Sequence, residues 1–254
     1  MSSPLEGKRG IVTGAAGGIG KATARLLLER GASLVLVDCD ADAGMRAARE
    51  LAGLSERCSF VAGDVSQRAD CSKAVALAAQ TMGGIDFLFN NAGIIRRSTV
   101  CEIDDSDWDR VMAVNVKSVM IMSSLAIPVM AKRGGGALVN NGSGWGLQGG
   151  ARAASYCASK AAVVNLTRAM PIDHGGQNIR VNCVCPGDTL TTMLAEEARQ
   201  LGLPEATMHK EAAMRPLGRA GEPREIAAAV AFLVGDEASF ISGAVLAVDG
   251  GGTA

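Results

Sequence analysis

The stretch that decides the fold is GIVTGAAGGIG, residues 10–20. An apolar run of strand length leads straight into a cluster of glycines, and the helical pattern of residues 18–30 begins at the last of them. Backbone amides at the N-terminus of such a helix can approach and bind a pyrophosphate. Tight turns also use glycine, but the position of this cluster between the first strand and the first helix strengthens the nucleotide-binding interpretation. The candidate residues are Gly14, Gly18, Ile19 and Gly20.

Strands and helices alternate along the rest of the chain. Alanine-rich segments of helical periodicity separate runs that are apolar on both faces, as in a parallel sheet that helices cover on each side. No linker and no change of composition divides the sequence. We therefore predict a single-domain α/β protein, a doubly wound Rossmann fold with about seven parallel strands flanked by helices on both faces. The predicted strands are 10–14, 33–38, 58–65, 85–93, 137–141, 179–187 and 244–251.

Two features interrupt this pattern. The region 188–216, which follows the sixth strand, is of mixed helical and irregular character, and we interpret it as a lid over a cleft at the carboxyl ends of the strands. The alternative is a helical insertion on the surface. Pro171 falls inside the helical pattern of residues 156–174, where it removes one backbone hydrogen bond and predicts a bend or an early end.

Composition and charge exclude several classes of protein. The chain has 254 residues, 48% of them hydrophobic and 20% charged, and a net charge of -1, which is ordinary for a globular protein. Its basic residues are dispersed, so they create no field that would attract nucleic acid or an anionic membrane. The first residues hold no run of signal-peptide type, and the apolar stretches are shorter than the ~20 residues that span a bilayer. We expect a cytoplasmic protein without nucleic-acid or membrane partners.

The cysteines do not indicate a disulfide framework or a metal site. There are seven, an odd number, scattered along the chain, and only two histidines. Cys183 and Cys185 are close in sequence but lack partners at the spacing of a zinc site. We expect reduced thiols that act as small core residues, and no bound metal.

A carboxylate at the end of the second predicted strand indicates which nucleotide is bound. Asp38 lies roughly twenty residues after the glycine cluster, where it would accept hydrogen bonds from the adenosine ribose and repel a 2′-phosphate. Ala15, Ala16 and Cys39 supply no cation to neutralise such a phosphate. NAD is therefore favoured over NADP. Alternatively, Asp38 caps the helix that begins near residue 41.

The one tyrosine of the chain, Tyr156, precedes Lys160 by four residues within a helical pattern. Residues at this spacing share a helix face, so the phenol and the ammonium can point into the same cleft. A free tyrosine, with a pKa of about 10, is a poor base at neutral pH, but a neighbouring ammonium favours the phenolate. Together with the nucleotide-binding signals, the pair indicates a functional site in that cleft.

With these residues the sequence resembles the short-chain dehydrogenase/reductase (SDR) family over nearly its whole length. Many motifs in the right order carry the resemblance, which implies a homotetramer as well as a coenzyme-dependent oxidoreductase. They are TGAAGGIG at 13–20, Asp64-Val65, NNAG at 90–93, Asn115, Ser143, Tyr156 with Lys160, Pro186-Gly187 and VDGG at 248–251.

The resemblance also implies roles for individual residues. The catalytic tetrad would be Asn115, Ser143, Tyr156 and Lys160, with Tyr156 as acid or base, Ser143 on the reacting oxygen, Lys160 on the nicotinamide ribose as well, and Asn115 placing a water beside Lys160. Taken alone, Ser143 would be an ordinary turn residue and Asn115 an ordinary helix-surface amide. The coenzyme contacts would be Asp64 and Val65 at the adenine, Asn91, Ala92 and Gly93 along the riboses, and Pro186, Gly187, Thr189 and Thr191 near the nicotinamide.

Two positions depart from the family pattern. Asp188 stands where the family usually has an apolar residue, which puts the local shape in doubt. Trp145, two residues after Ser143, is bulky for a position near the substrate, where it would narrow the pocket or stack on a ring.

The substrate is indicated only by Arg96 and Arg97, which follow the NNAG segment near the expected cleft. Similar pairs occur in relatives that resemble gluconate dehydrogenases, which suggests a polyol, a sugar or a sugar acid. The alternative is a surface pair that forms salt bridges with Glu102, Asp104 or Asp105.

The resulting prediction is an NAD-dependent oxidoreductase that interconverts a secondary alcohol and a ketone. One alternative is a 3-ketoacyl-type carbonyl reductase. Another, from a different class, is a nucleotide-binding sensor or scaffold without catalysis.

Overall fold

The computed structural model describes residues 3–53 and 57–254. Its centre is one sheet of seven strands within these residues, all parallel, in the order β3-β2-β1-β4-β5-β6-β7. The predicted doubly wound α/β fold is confirmed. The strands are β1 Arg9–Thr13, β2 Ser33–Asp38, β3 Cys58–Ala62, β4 Phe87–Asn90, β5 Gly136–Asn141, β6 Ile179–Pro186 and β7 Val245–Val248.

Helices connect successive strands and cover both faces of the sheet. A π-helical turn, Ala113–Lys117, joins two of them into one continuous helix. The α-helices are α1 Gly18–Glu29, α2 Ala41–Ala52, α3 Arg68–Met82, α4 Asp105–Met112, α5 Ser118–Ala131, α6 Ala154–His174, α7 Thr192–Leu201, α8 Glu205–Ala212 and α9 Pro223–Val234.

Strand β4 shows how the sequence builds two cores. Its side chains point alternately to the two faces of the sheet. Phe87 and Phe89 pack with residues of α1 and α9 on one face, and Leu88 packs with residues of α3 and α5 on the other. All three are fully buried, and each contributes about 1.5–3 kcal/mol by leaving water. Because both faces are covered, the strand is apolar throughout.

The continuous helix Asp105–Ala131 is more apolar than the sequence pattern predicted. By length and composition alone it could cross a membrane, with a mean hydropathy of 1.5 over its most apolar window, but 56% of that window is buried within the protein. Ile121, Met122 and Ala126 belong to the core under the sheet. This packing accounts for the apolar composition of the helix.

Helix α6 does not end early, although Pro171 lies inside it. The proline removes only the one backbone hydrogen bond that its own nitrogen would donate, and the helix continues for three more residues to His174. Met170 stays buried in the core beside it. The predicted early end is therefore wrong.

The strand order reverses between β1 and β4, where neighbouring chain connections run to opposite faces of the sheet. In an open parallel sheet, a crevice forms beyond the carboxyl ends of the strands at this point. The segment 188–216 contains α7 and α8 and adjoins this crevice. We keep the name lid for it, and its closure over the cleft stays a prediction.

Candidate active site

The glycine-rich turn after β1 requires glycine at three of its positions, Gly14, Gly18 and Gly20. Gly14 and Gly18 adopt positive φ angles of 62° and 51°. A Cβ atom on Gly20 would lie 2.0 Å from the carbonyl oxygen of Gly14. Gly17 caps α1 without any side-chain hydrogen bond, so the N-terminal amides of the helix are free to face the cleft. This arrangement fits a dinucleotide pyrophosphate.

The carboxylate of Asp38 is held beside this turn by backbone amides. Its Oδ2 accepts a hydrogen bond from the Ala16 amide at 2.9 Å, and its Oδ1 accepts one from the Asp40 amide at 3.1 Å. The helix cap of α2 is a different residue, Asp40, which accepts from the Ala43 amide. The alternative of Asp38 as the cap is therefore wrong.

Asp64 and Val65 line the same end of the cleft. The Asp64 carboxylate accepts hydrogen bonds from the Ser66 amide at 2.9 Å and from Arg110 at 3.0 Å. Burial alone would raise the pKa of Asp64, but these hydrogen bonds outweigh it and lower the pKa. Arg110, a cation in the cleft wall, therefore forms an ion pair with Asp64.

A polar network ties the ends of β1, β4 and β5 together. Thr13 Oγ1 accepts hydrogen bonds from the amides of Asn91 and Ala92, at 2.9 and 3.0 Å. The Asn91 side chain donates back to the carbonyl oxygens of Thr13 and Gly14, and it accepts from Asn141 at 3.0 Å. The sequence analysis did not single out Asn141. Its buried Oδ1 has no partner in the described chain, which leaves an acceptor beside the cleft.

Asn115 lies in the π-helical turn and faces the segment after β4. Its Nδ2 donates to the Ile94 carbonyl oxygen and to Ser159 Oγ, both at 2.9 Å, and its Oδ1 accepts from the Ile94 amide at 2.8 Å. Both polar atoms are therefore used to hold protein groups. A Cβ atom on Gly93 would lie 3.3 Å from Asn115 Oδ1 and 3.4 Å from Lys160 Nζ. The side chain thus positions the backbone next to Lys160.

Tyr156 and Lys160 occupy successive turns of α6, and both side chains are buried. Lys160 Nζ lies 5.6 Å from the centroid of the Tyr156 ring and donates to the Asn141 carbonyl oxygen at 2.7 Å. Burial lowers the pKa of Lys160 to about 8. Burial also raises the pKa of Tyr156, while a hydrogen bond with the Ser143 side chain acts in the opposite direction. The phenol is thus held protonated at neutral pH.

Ser143 stands between β5 and the short 3₁₀ turn Gly144–Gly146, which it caps. Its Oγ accepts a hydrogen bond from the Trp145 amide at 3.1 Å. Because Ser143 and Tyr156 both line the cleft, a hydroxyl or carbonyl group can reach both side chains there.

The cleft encloses a cavity of about 520 Å³. Most predicted site residues lie in its wall, whereas four do not: Gly20 and Asn115 are behind it, and Arg96 and Arg97 are elsewhere. The predicted residues in the wall are Gly14, Gly18, Ile19, Asp38, Asp64, Val65, Asn91, Ala92, Gly93, Ser143, Trp145, Tyr156, Lys160, Pro186, Gly187, Thr189 and Thr191.

Known proteins are similar to this chain over its whole length. A family model described as enoyl-(acyl carrier protein) reductase matches residues 14–253. The 2-(S)-hydroxypropyl-CoM dehydrogenase 3 of Xanthobacter autotrophicus is 40% identical over 254 residues, which are 100% of both chains. The chain belongs to the short-chain dehydrogenase/reductase family. It is therefore an oxidoreductase of a family that binds a nicotinamide coenzyme.

Two further SDR proteins illustrate the range of relatives. The meso-2,3-butanediol dehydrogenase of Serratia marcescens is 42% identical over 244 residues, which are 96% of this chain and 94% of the relative. The crystal structure of the 3-ketoacyl-(acyl-carrier-protein) reductase from Brucella melitensis complexed with NADH has a TM-score of 0.90 and 32% identity, and covers 98% of this chain and 100% of that one.

The departure from the SDR pattern at Asp188 has a structural explanation. Its carboxylate forms an ion pair with Arg215, so the two side chains join the beginning and the end of the lid. Sequence spacing could not reveal this contact, because the two residues are separated by two helices. Thr189 keeps its place in the cleft wall, and its hydroxyl donates to the Gly187 carbonyl oxygen at 2.9 Å.

The lid also reaches the glycine-rich turn. A Cβ atom on Gly18 would lie 3.2 Å from the methyl group of Thr191, the residue that precedes α7. In this SDR protein the lid therefore adjoins the predicted coenzyme site at its first residues.

Arg96 and Arg97 line a smaller polar pocket of about 330 Å³ outside the cleft cavity. Arg96 Nε donates to Asp107 at 2.9 Å, and Arg97 Nη1 donates to Glu197 of α7 at 2.9 Å. Both guanidinium groups therefore have carboxylate partners.

The structure matches neither the prediction that Arg96 and Arg97 contact the substrate nor the alternative that gave them Glu102, Asp104 or Asp105 as partners. Neither arginine reaches the cavity wall as a substrate contact, and the partners are not Glu102, Asp104 or Asp105. The side chain of Arg97 is only 8% exposed, so its ion pair is buried rather than on the surface.

The remaining polar clusters hold no arrangement typical of a metal site. Among residues 3–53 and 57–254, no group of three or more His, Cys, Asp or Glu side chains could hold a metal ion. Cys183 and Cys185 are buried on β6, with their sulfur atoms 3.8 Å apart.

Proposed function

We propose that this SDR protein is an NAD-dependent dehydrogenase that interconverts a secondary alcohol and a ketone on a neutral polyol or a sugar-like molecule. The observation that carries the proposal is the placement of Tyr156, Lys160 and Ser143 in the wall of one cavity with the glycine-rich turn. A substrate carbon bound beside Ser143 would thus lie between an acid–base group and a coenzyme site.

The preference for NAD is supported by Asp38. Its carboxylate lines the cavity and is fixed by two backbone amides, so a 2′-phosphate placed there would meet a negative charge. The cation of this region, Arg110, is bound to Asp64. The related Brucella melitensis reductase was solved with NADH.

The proposed chemistry follows from the protonation states of the site. When bound, a nicotinamide ring supplies the hydride exchange. Tyr156 donates a proton to the carbonyl oxygen in reduction, or takes one from the alcohol in oxidation. Ser143 hydrogen-bonds the same oxygen. The charged form of Lys160 favours the phenolate, so oxidation of the alcohol depends on this neighbour.

The proposed substrate class is neutral because both arginines are occupied. The suggestion of a sugar acid depended on Arg96 and Arg97, whose guanidinium groups are bound to Asp107 and Glu197. A polyol or sugar requires no such cation. The meso-2,3-butanediol dehydrogenase relative acts on a neutral diol by its name.

Coenzyme reduction tests this proposal directly. The purified protein is mixed with NAD or NADP and a series of polyols, sugars, sugar acids and cyclic alcohols, and the absorbance of the reduced coenzyme is recorded. We expect turnover with NAD and neutral polyols. In Tyr156→Phe, kcat should fall by about 100- to 10,000-fold, because the acid–base group is lost. The affinity for NADH should be retained, as measured by fluorescence titration.

Wild-type turnover that persists in Tyr156→Phe would contradict the mechanism. Absence of turnover with every alcohol and ketone, together with NADH binding, would favour the non-catalytic sensor instead.

A 3-ketoacyl-type reductase is the second candidate. The similarity to the Brucella melitensis reductase with NADH favours it, since that protein combines this activity class with the coenzyme that lacks the 2′-phosphate. A higher kcat/KM for reduction of an acetoacetyl thioester than for any polyol ketone would favour this candidate.

We also propose a homotetramer in the cytoplasm. Phe240 and Ile172 are largely exposed, and Leu246 on the edge strand β7 is partly so, which leaves apolar surface at one side of the sheet. All seven cysteines are free thiols, as in a reducing compartment. Sedimentation of the purified protein and fractionation of the source cells test these two points, and a stable monomer or a membrane-bound fraction would contradict them.

A further inference from the structure

Helix α7 of the lid presents one carboxyl group to the cleft. The side chain of Glu197 is 12% exposed and lines the cavity that also contains Tyr156 and Ser143. Its Oε2 accepts a hydrogen bond from Arg97 Nη1 at 2.9 Å. No hydrogen bond to Oε1 is present among the residues that the structure describes, so this oxygen is available to a ligand in the cleft.

The cation that pairs with one oxygen of this carboxylate lies behind it. Arg97 does not line the cleft cavity, and its guanidinium carbon lies 4.8 Å from the centre of the Trp145 ring. The backbone amide of Arg97 donates to Gln200 Oε1 of the same lid helix at 2.8 Å. A substrate therefore meets the carboxylate, while the guanidinium stays covered.

Trp145 fixes the carboxylate relative to the proposed acid–base group. Its ring contacts the Tyr156 ring edge to face, with a centroid distance of 6.2 Å and an interplanar angle of 82°. Tyr156, Trp145, Arg97 and Glu197 thus form a continuous chain of contacts from α6 to the lid. The neighbouring wall of the cavity is apolar at Met193 and Leu194.

We propose that Glu197 accepts a hydrogen bond from a second hydroxyl group of the substrate, so that the enzyme selects neutral diols and polyols over monohydric alcohols and hydroxy acids. This inference rests on the proposed dehydrogenase function. A hydrogen bond to a carboxylate is stronger than a neutral one, and a substrate that lacks the hydroxyl leaves Glu197 unpaired on one oxygen. A substrate carboxylate at the same position would meet a like charge.

Three substrates with the same four-carbon skeleton test the inference: 2,3-butanediol, 2-butanol and 3-hydroxybutyrate. Steady-state kinetics with saturating NAD, at a pH well above 7 so that Glu197 is ionised, give kcat/KM for each with the wild-type enzyme, Glu197→Gln and a control, Glu196→Gln. Glu196 is adjacent in sequence but pairs with the exposed Arg199, and it does not line the cleft cavity.

We expect the wild-type enzyme to prefer the diol. In Glu197→Gln the amide oxygen must face Arg97, which has only donors, so the amide NH₂ faces the cleft. The ratio of kcat/KM for the diol to that for 2-butanol should fall by about 10-fold, and kcat/KM for 3-hydroxybutyrate should rise by about 10-fold. Glu196→Gln should match the wild type in both respects.

A second variant, Glu197→Asp, keeps the charge but withdraws it by one methylene group. It should lose preference for the diol without gaining activity toward 3-hydroxybutyrate. NADH fluorescence titration and circular dichroism establish that each variant is folded with an intact coenzyme site.

Unchanged substrate ratios in both folded variants, or an equal loss with all three substrates, would overturn the role of Glu197 while leaving the dehydrogenase intact. Absence of wild-type turnover with every secondary alcohol would instead overturn the proposed function and this inference together.

Discussion

The two halves of the cleft are built in different ways. In the half predicted to bind the coenzyme, backbone groups near the strand ends hold the side chains, as at Asp38 and Asn91. In the half proposed to bind the substrate, side chains from separate segments hold one another, as in the chain of contacts from Tyr156 through Trp145 and Arg97 to Glu197. In the first half, the close approach of backbone atoms therefore limits which residues fit. The shape of the second half depends instead on which side chains are present.

This difference predicts how each half tolerates substitution. A change in the coenzyme half should act on all substrates alike, because every reaction of the enzyme needs the coenzyme. A change in the substrate half should alter the choice among substrates while the coenzyme still binds. Three predictions test this contrast, in order of decreasing effect.

The largest effect is expected from Gly20→Ala. The added methyl group would lie 2.0 Å from the Gly14 carbonyl oxygen, so the turn must shift. NADH affinity should fall by about 1,000-fold, because the pyrophosphate cradle depends on close backbone approach. The matched control is Gly17→Ala, where nothing lies within 4 Å of the added methyl group. Fluorescence titration with NADH measures both, and equal affinities would contradict the steric account of this half.

A smaller effect is expected from Asp38→Asn, which removes the charge and keeps the shape. The ratio of kcat/KM with NADP to that with NAD should rise by about 100-fold, since a like charge no longer faces the 2′-phosphate. The ratio of activities with 2,3-butanediol and 2-butanol should not change. An altered substrate ratio would show that the two halves are coupled more closely than their contacts indicate.

The smallest effect concerns stability alone. Burial raises the pKa of Glu197 to about 7, against the opposing influence of Arg97, and Asp188 raises it further. Between pH 4.5, the ordinary pKa of a glutamate side chain, and about pH 7, the folded state therefore holds one more proton on Glu197 than the unfolded state does. The contribution of Glu197 to the free energy of unfolding is therefore fully present at acidic pH, and it is lost as the pH rises to 7.

Glu197→Gln should remove this pH dependence. The free energy of unfolding of the wild type relative to the variant should decrease with rising pH in that window, by at most about 1.4 kcal/mol per pH unit. Urea denaturation at several pH values measures the difference. Parallel curves for the two proteins would contradict the raised pKa.

Prediction from the sequence succeeded where the signal is local. Alternating apolar runs and helical segments indicated the strand positions, although β3 ends at Ala62 and β4 begins at Phe87, inside the predicted runs. Tyr156 and Lys160 could be paired because four residues on a helix place side chains on one face. The roles of the coenzyme and tetrad residues were implied by family resemblance, and the structure shows which of them share a cavity.

Prediction failed where contacts join distant segments. Arg97 was a candidate for the cleft or the surface, but it is buried against Glu197, 100 residues away. Asp188 looked anomalous until its contact with Arg215 was visible. The contact of the Asn115 side chain with the Ile94 backbone was not foreseen, and the water that Asn115 would place stays a prediction.

The sequence by itself determined the parallel α/β fold, the glycine-rich turn and the phenol–ammonium pair, because strand period, helix period and glycine sterics act over a few residues. Only the tertiary structure decided which of Arg97 and Glu197 lines the cleft. A sequence does not reveal whether the guanidinium group of Arg97 or the carboxylate of Glu197 lies nearer to the cleft. Their positions depend on how the lid packs on the segment after β4 and on Trp145.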